Sequence, residues 1–222
     1  MSERRILVIN PNSNQAVTDG FSESLESLRL VGGPAIDCMT LAEGPFGIMS
    51  QADVEQVVLP LRALVAADTA SDAFVIACYS DPGLAVCREA TDKPVFGIQE
   101  SGVLTALAHG DRFGVIALGP ASIRRHMRTM RQMGVMERLA GERPLNLSVA
   151  ESERPQAFDR LVEVAIQLRD RDGADVILLG CAGMARHRLA LQSALGLPVI
   201  DPTQAAVAQA LGAVLLMQAD CA

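Results

Sequence analysis

The chain has 222 residues, half of them apolar, a formal net charge of -7 and a pI of about 5.0. That length is enough for one domain or for two small domains with a real core. An acidic chain with scattered charges and no basic block is a poor partner for nucleic acid or an anionic membrane, so a small-molecule substrate is expected. The apolar run 6–9 is too short for a signal peptide, and three glutamines interrupt the stretch 202–219, so we expect a soluble, cytoplasmic protein.

The residues that hold metals and cofactors are scarce. Five cysteines, an odd number without framework spacing, indicate free thiols rather than disulfides, and the three histidines are dispersed, so no metal site is expected. The single lysine, Lys93, lies in a turn before Pro94 and is a poor candidate for a Schiff base with pyridoxal phosphate. Since no glycine-rich phosphate loop is present either, the sequence predicts no cofactor.

Strands and helices alternate along the first half of the chain. The apolar runs predict strands over 5–9, 35–41, 73–77 and 94–98. Helices are predicted over about 15–30, across 54–65, after Asp81 and over 100–109. Pro60 lies inside the second of these helices and is predicted to kink or split it. Asp81 is predicted to cap the third, with Pro82 at its first position.

The same order then repeats in the second half. Strands are predicted over 113–118, 145–149, 175–180 and 198–200. Helices are predicted after 122 with Ile123, Met127 and Met130 on one face, over about 154–170, up to about 195, and over about 203–219, the last apolar nearly all round and buried.

Matched residues recur at similar spacing in the two halves. Pro11 and Cys78 are 67 positions apart, and Pro120 and Cys181 are 61 apart. We infer a duplicated unit and an α/β fold of two pseudo-symmetric lobes, each a four-stranded parallel sheet flanked by helices, with the active site in the cleft between them. The expected first lobe is 1–98 with the C-terminal helix, about 204–222, and the expected second lobe is 99–203.

Two cysteines end matching strands in the two halves. Cys78 and Cys181 each follow a short apolar run and precede small or turn-forming residues. Because ligands of open α/β sheets bind at the carboxyl ends of the strands, both thiols lie where chemistry is expected. A single cysteine there is usually a small core residue, but two at matched positions favour a functional pair. Cys38, Cys87 and Cys221 have no such partners.

Two thiols across a cleft suit the inversion of a carbon next to a carbonyl. A thiolate on one face removes the proton, and a thiol on the other face returns one. A helix N-terminus predicted beyond each cysteine favours the thiolate, whereas the carboxylate of Asp81 disfavours it at Cys78. The carbanion needs hydrogen-bond donors, which the turns after the strands can supply. Asn12 and Ser13 serve equally well as helix caps.

The predicted site includes more than the two thiols. The loop 43–50, with Phe46 and Ile48, either shapes the pocket for the substrate side chain or simply connects a strand to a helix. The predicted catalytic residues are Cys78 and Cys181, and the predicted substrate-binding residues are Asn12, Ser13, Ile48, Tyr79, Ser80, Gly119, Pro120, Ala182 and Gly183.

Four motifs resemble the aspartate/glutamate/hydantoin racemase superfamily, most closely its hydantoin and allantoin racemase branch. They are Ile9-Asn10-Pro11-Asn12-Ser13, Ala77-Cys78-Tyr79-Ser80-Asp81-Pro82-Gly83, Gly180-Cys181-Ala182-Gly183-Met184 and Pro198-Val199-Ile200-Asp201. The resemblance implies flavodoxin-like lobes, a cofactor-independent two-base mechanism with Cys78 and Cys181 as the acid/base pair, and a homo-oligomer. Ser80 stands where the branch commonly has glycine, and residues 99–102 also depart from its pattern, which bears on the substrate rather than on the mechanism.

The sequence therefore predicts racemisation of a 5-substituted hydantoin or of a ureide such as allantoin. One alternative is a maleate-type cis–trans isomerase, or another superfamily enzyme, that uses cysteine as a nucleophile and forms a covalent adduct. The other alternative is a non-catalytic small-molecule-binding protein of the same fold, which binds a ligand without turnover.

Overall fold

Two parallel β-sheets form the frame of the molecule. The structure, a computed structural model, describes residues 4–219, so Cys221 lies outside the described residues. The strands of the first sheet are β1 (Arg5–Asn10), β2 (Ala35–Thr40), β3 (Ala73–Ile76) and β4 (Val95–Gly97), and those of the second are β5 (Phe113–Ala117), β6 (Leu139–Pro144), β7 (Val176–Leu179) and β8 (Val199–Ile200). Their orders are β2-β1-β3-β4 and β6-β5-β7-β8. The order is the same in both four-stranded sheets and every pairing is parallel, which confirms the predicted pair of α/β lobes.

Helices flank both sheets. They are α1 (Gln15–Ser24), α2 (Gln51–Gln56), α3 (Val58–Ala67), α4 (Leu84–Glu89), α5 (Ile98–His109), α6 (Pro120–Met133), α7 (Val149–Ser152), α8 (Phe158–Asp170), α9 (Arg188–Leu195) and α10 (Pro202–Ala219). Short 3₁₀ turns follow α1 and Cys181. Within residues 4–219, no helix has both the length and the apolar character needed to cross a membrane.

The hydrophobic core joins the two lobes. Every residue of β3 and of β7 is buried, as expected for parallel strands covered on both faces. Alternate residues of β1 divide between two clusters: Ile6 and Val8 join a cluster that continues through the second lobe, whereas Leu7 and Ile9 pack with the α2–α3 side. Helix α10 packs on α5 and on the first sheet. The strand ends of both lobes are therefore held in a fixed relation.

Two of the sequence predictions about helices are confirmed in outline. The helix that contains Pro60 is split, because α2 ends at Gln56 and α3 begins at Val58. Pro60 then occupies the first turn of α3, where a backbone N–H has no intrahelical acceptor. The first helix is shorter than predicted: α1 ends at Ser24, and a 3₁₀ turn replaces its last part.

The strand predicted over 145–149 is wrong. The strand beside β5 is β6, which begins at Leu139, and Val149 instead begins the short helix α7. Strand β6 lies at the sheet edge and all six of its residues are half-buried, so it has no apolar run by which to recognise it. Its hydrogen bonds to β5, rather than its composition, make it a strand.

The buried faces of α6 and α10 also differ from the predictions. In α6 the buried residues are Ser122, Arg125, His126 and Met130, while the predicted Ile123 and Met127 are only half-buried. In α10, Leu216 is 73% exposed, so this helix is not buried all round.

Candidate active site

A cavity of about 400 Å³ lies at the carboxyl ends of β3 and β7. Of the residues that the sequence singled out, it is lined by Asn12, Ile48, Cys78, Tyr79, Ser80, Cys181 and Ala182. Ser13, Gly119, Pro120 and Gly183 do not line it. From this segment of the chain, Leu118 and Ser122 line the cavity instead of Gly119 and Pro120. Gly119 is the residue before α6, and Pro120 is exposed.

Cys78 is half-buried and opens the turn after β3. Its sulfur accepts a hydrogen bond from the backbone N–H of Ser80. The pKa of this thiol is raised to about 12, chiefly by burial and to a smaller extent by the nearby Cys181 and Asp81, while the Ser80 N–H and Arg125 oppose the rise. The resting form is the neutral thiol.

Cys181 is 8% exposed and immediately precedes a 3₁₀ turn that begins at Ala182. Its sulfur is within hydrogen-bonding reach of the Gly183 N–H and of the Ser152 hydroxyl, and burial raises its pKa to about 11. Asp201 and Glu153 add to that rise. The Ser152 hydroxyl also donates to the Val149 carbonyl at 2.8 Å, so its single proton turns either to that carbonyl or to the sulfur.

The prediction that an α-helix begins directly beyond each cysteine is wrong at Cys78. Helix α4 begins only at Leu84, and a 3₁₀ turn rather than an α-helix follows Cys181. The matched feature of the two sites is instead the N–H group two residues after each cysteine, whose hydrogen bond to the sulfur lowers the pKa of that thiol. This donor favours the thiolate locally, as the helix was expected to do.

Asp81 does not cap the helix that follows it. Gly83, with a φ of +68°, precedes α4, whereas the Asp81 carboxylate accepts from the N–H groups of Gln99 and Glu100, both at 2.8 Å. It therefore caps α5 from a distant part of the chain. A Cβ at Gly97 would lie 2.3 Å from Asp81 Cγ, so this close approach requires glycine. Burial raises the pKa of Asp81 to about 7.

The turn after β1 supplies one free donor to the cavity. The cap of α1 is Asn14, whose Oδ1 accepts from the Ala16 N–H at 3.2 Å, so the helix-cap alternative for Asn12 and Ser13 is wrong. Asn12 Oδ1 accepts from the Asn14 N–H at 3.0 Å and from Asn10 Nδ2 at 3.1 Å. Asn12 Nδ2 donates to none of the described residues, which leaves it available to a ligand.

Helix α6 contributes three cavity residues that the sequence reasoning missed, Ser122, Arg125 and His126. His126 is 2% exposed, its Nδ1 lies 2.5 Å from Glu142 Oε1, and its ring meets the Tyr79 ring edge-on at a centroid distance of 4.7 Å. The sequence feature that could have identified these residues is the spacing of the polar positions 122, 125 and 126, which places them on one helix face. This feature was not distinctive, because polar residues also cover most of the rest of the helix.

The arrangement places two thiols, several hydrogen-bond donors and one guanidinium around a small space. Among the described residues, no three histidine, cysteine or acidic side chains come together as a metal site would require. What the described residues offer is proton transfer at sulfur and stabilisation of a developing oxyanion.

Comparison with known proteins identifies the family. The family model for Asp/Glu/Hydantoin racemases matches residues 6–210. Hydantoin racemase from Paenarthrobacter aurescens is 35% identical over 213 residues, covering 91% of this chain and 87% of that protein, and hydantoin racemase from Rhizobium meliloti is 36% identical over 211 residues, covering 92% and 86%. Allantoin racemase from Klebsiella pneumoniae, a solved structure, matches with a TM-score of 0.90 at 28% identity, over 97% of this chain and 89% of that one. The chain therefore belongs to the Asp/Glu/Hydantoin racemase family and is an isomerase.

Proposed function

We propose that this protein racemises a 5-substituted hydantoin or a ureide such as allantoin, with Cys78 and Cys181 as the two acid/base groups and without a cofactor. The observation that carries the proposal is that both thiols, from equivalent strand ends of the two lobes, line one cavity. The hydantoin and allantoin racemases among its relatives support the substrate class.

The reaction needs one thiolate and one thiol. The thiolate removes the proton from the carbon beside the ring carbonyl, and the electron pair moves onto that carbonyl to give an enolate. The opposite thiol then delivers its proton to the other face of the carbon. One sulfur has gained a proton and the other has lost one, so the net charge of the site is unchanged.

Donors in the cavity stabilise the enolate oxygen. The Asn12 amide is free to donate, and the Ser122 hydroxyl accepts from Arg125 Nη2 at 3.3 Å, which leaves its own proton for a ligand. The N–H groups of Ser80 and Gly183 are directed at the sulfurs and stabilise whichever thiolate forms. Such preorganised donors contribute much of the rate enhancement in enolate chemistry.

Two further parts of the proposal concern the state of the protein. The mechanism needs both sulfurs unbridged, and the four cysteines described, Cys38, Cys78, Cys87 and Cys181, are free thiols, which suits a reducing compartment such as the cytoplasm. We also propose a homo-oligomer, which light scattering on the purified protein tests.

The experiment is racemisation in heavy water. Single enantiomers of allantoin and of several 5-substituted hydantoins are incubated with the wild-type protein, while optical rotation and deuterium at the stereocentre are followed. We expect loss of rotation with uptake of solvent deuterium, above a control without protein. If none of these rings showed either loss of rotation or uptake of deuterium, the result would contradict the proposal. A covalent adduct by intact mass, without inversion, would instead support the nucleophilic alternative.

A further inference from the structure

In the resting site, where both thiols are neutral, Arg125 is a buried cation without a counter-ion among the described residues. It lies on α6, is 8% exposed and lines the thiol cavity. Its Nε donates to Ser80 Oγ at 3.5 Å, its Nη1 to the Met49 carbonyl at 3.0 Å and its Nη2 to Ser122 Oγ at 3.3 Å. All three acceptors are neutral, so the hydrogen bonds do not balance its charge.

No carboxylate balances that charge either. Among the described residues, none of the ion pairs within 4.0 Å involves Arg125. Asp53 is an acidic side chain that acts on the pKa of Arg125, but it makes no ion pair with it, and its Oδ2 is already held by the N–H groups of Met49 and Ser50. Arg124 and Arg128, on the same helix, add positive charge.

The guanidinium of Arg125 has N–H groups without an acceptor among the described residues, and it borders open space. Of its five N–H groups, three make the bonds above, which leaves one on Nη1 and one on Nη2. Arg125 and Ser80 also line an adjoining hollow of about 460 Å³, together with Arg128. Among the residues described as lining the cavity and the hollow, there is no aspartate or glutamate.

A buried cation is normally paired, and two parallel N–H groups of a guanidinium match the two oxygens of a carboxylate. We propose that Arg125 binds an anionic group on the substituent of the inverted carbon, so that the substrate is an acidic 5-substituted hydantoin or ureide. This inference rests on the racemase reaction proposed above. The ring lies between the thiols, and its substituent extends past Ser80 towards Arg125 and the adjoining hollow.

An alternative role for Arg125 is to stabilise the Cys78 thiolate, since the two groups interact. The two roles are separable. Stabilisation of the thiolate changes the rate for every substrate equally, whereas recognition of an anion changes the ratio between a charged substrate and its neutral isostere. The test therefore measures a ratio.

The matched probes are 5-(2-carboxyethyl)hydantoin and 5-(2-carbamoylethyl)hydantoin, which share the ring and the chain length and differ in charge. For wild-type protein we expect kcat/KM to be about tenfold or more higher for the carboxylate than for the amide, because a charge-assisted bidentate pair is lost in the amide. In R125Q the ratio should fall to about one, and in R125K it should lie between, because Lys keeps the charge without the planar fork.

The control is R124Q, which removes an exposed arginine from the adjacent position of α6. It should keep the wild-type ratio within about twofold, because an exposed charge contributes little. Equal kcat/KM for the two probes in wild-type protein, or a ratio that persists in folded R125Q, would overturn the inference. The first of these results needs no variant and so does not depend on whether R125Q folds.

Failure of the racemase proposal is recognisable separately. If the wild-type protein inverts neither probe, binding of the same two compounds is measured by titration calorimetry. Tighter binding of the carboxylate, lost in R125Q and kept in R124Q, would still support the anion site. Equal binding of both compounds, or no binding of either, would contradict it.

Discussion

Cys78 and Cys181 end equivalent strands, and each sulfur accepts a hydrogen bond from the N–H two residues further along. Their other neighbours differ. Cys78 is half-buried and interacts with the guanidinium of Arg125, which comes from the opposite lobe. Cys181 is buried, and the hydroxyl of Ser152, from its own lobe, reaches its sulfur. The duplicated backbone thus gives two thiols at matched positions, and the side chains around them make the two positions chemically unequal.

The lobes also cap their matching helices differently. After β8, Asp201 caps α10 directly, since its Oδ1 accepts from the Gln204 N–H at 2.8 Å. After β4, the corresponding helix α5 is capped by Asp81, which comes from the turn that carries Cys78. The Cys78 turn is therefore tied to α5 and, through it, to α10, whereas Asp201 ties together only neighbouring residues.

The largest effect is expected from removal of either thiol. Cys78→Ser and Cys181→Ser should each lower kcat/KM for racemisation by about 10³-fold or more, because a serine hydroxyl is a far weaker proton donor and acceptor near pH 7. Polarimetry on one enantiomer measures this. Cys38→Ser is the control, since Cys38 is a half-buried thiol of β2 that does not line the cavity. A Cys78 or Cys181 variant that kept wild-type racemisation would exclude that thiol from the mechanism.

The next effect is that of pH on the wild-type protein. The pKa values of Cys78 and Cys181 are raised to about 12 and about 11, so only a small fraction of either is ionised near pH 7. Because that fraction grows about tenfold per pH unit well below the pKa, kcat/KM should rise by about 100-fold between pH 7 and pH 9. Initial rates corrected for uncatalysed racemisation measure it. A flat profile over this range would indicate that one thiolate is already formed at neutral pH.

A smaller effect is expected from Ser152→Ala. Loss of the hydroxyl removes one hydrogen bond to the Cys181 thiolate and should lower kcat/KM by about tenfold. The equilibrium constant of a racemisation is one, so both directions must fall by the same factor. Ser148→Ala is the matched control, because Ser148 caps the same short helix without reaching the sulfur. An equal loss in both variants would assign the effect to α7 as a whole rather than to the hydroxyl.

The smallest effects concern stability, and they distinguish the Asp81 cap of α5 from the Asp201 cap of α10. Asp81→Asn should lower the free energy of unfolding at pH 5, below the pKa of about 7 of Asp81, by about 1–3 kcal/mol, because both carboxyl oxygens accept from N–H groups and an amide offers only one acceptor. Asp201→Asn keeps its one hydrogen bond, since Asp201 Oδ2 has no partner among the described residues. Urea denaturation of both variants measures the difference.

The pH dependence of the stability of Asp201→Asn, compared with wild type, has a definite sign. Burial raises the pKa of Asp201 to about 6, so the native state holds this proton more tightly than the unfolded chain does. The resulting stability is fully present below about pH 4, the usual pKa of aspartate, and is lost as the pH rises through about 6. The free energy of unfolding of Asp201→Asn, relative to that of wild type, should therefore increase between pH 4 and pH 7. No relative gain would show that burial of Asp201 carries no such cost.

The frame of the fold was predictable because the central strands are buried on both faces. Such strands appear as continuous apolar runs, as at β3 and β7, and the breaks between them placed both cysteines at strand ends. Strand β6 was not predictable in the same way. It is held by hydrogen bonds at an edge, and Gly141, Glu142 and Arg143 bury no continuous apolar surface.

The surroundings of the thiols were harder to predict, because they depend on contacts between distant parts of the chain. Asp81 has the composition of a local helix cap, yet its partners are the N–H groups of Gln99 and Glu100. Arg125 and His126 look like ordinary polar residues of a charged helix until the fold turns that face towards the cavity. Asn12 was placed at the cavity by its turn, but Asn14 rather than Asn12 serves as the cap.

The central claim is that the two thiols act on opposite faces of one carbon, and deuterium exchange in the two single variants tests it most directly. Each enantiomer of the best substrate is incubated in heavy water with Cys78→Ser or with Cys181→Ser, and deuterium at the stereocentre is read by NMR. The account predicts that each variant exchanges the proton of one enantiomer without inversion, and that the two variants act on opposite enantiomers. Exchange of the same enantiomer by both variants would contradict it.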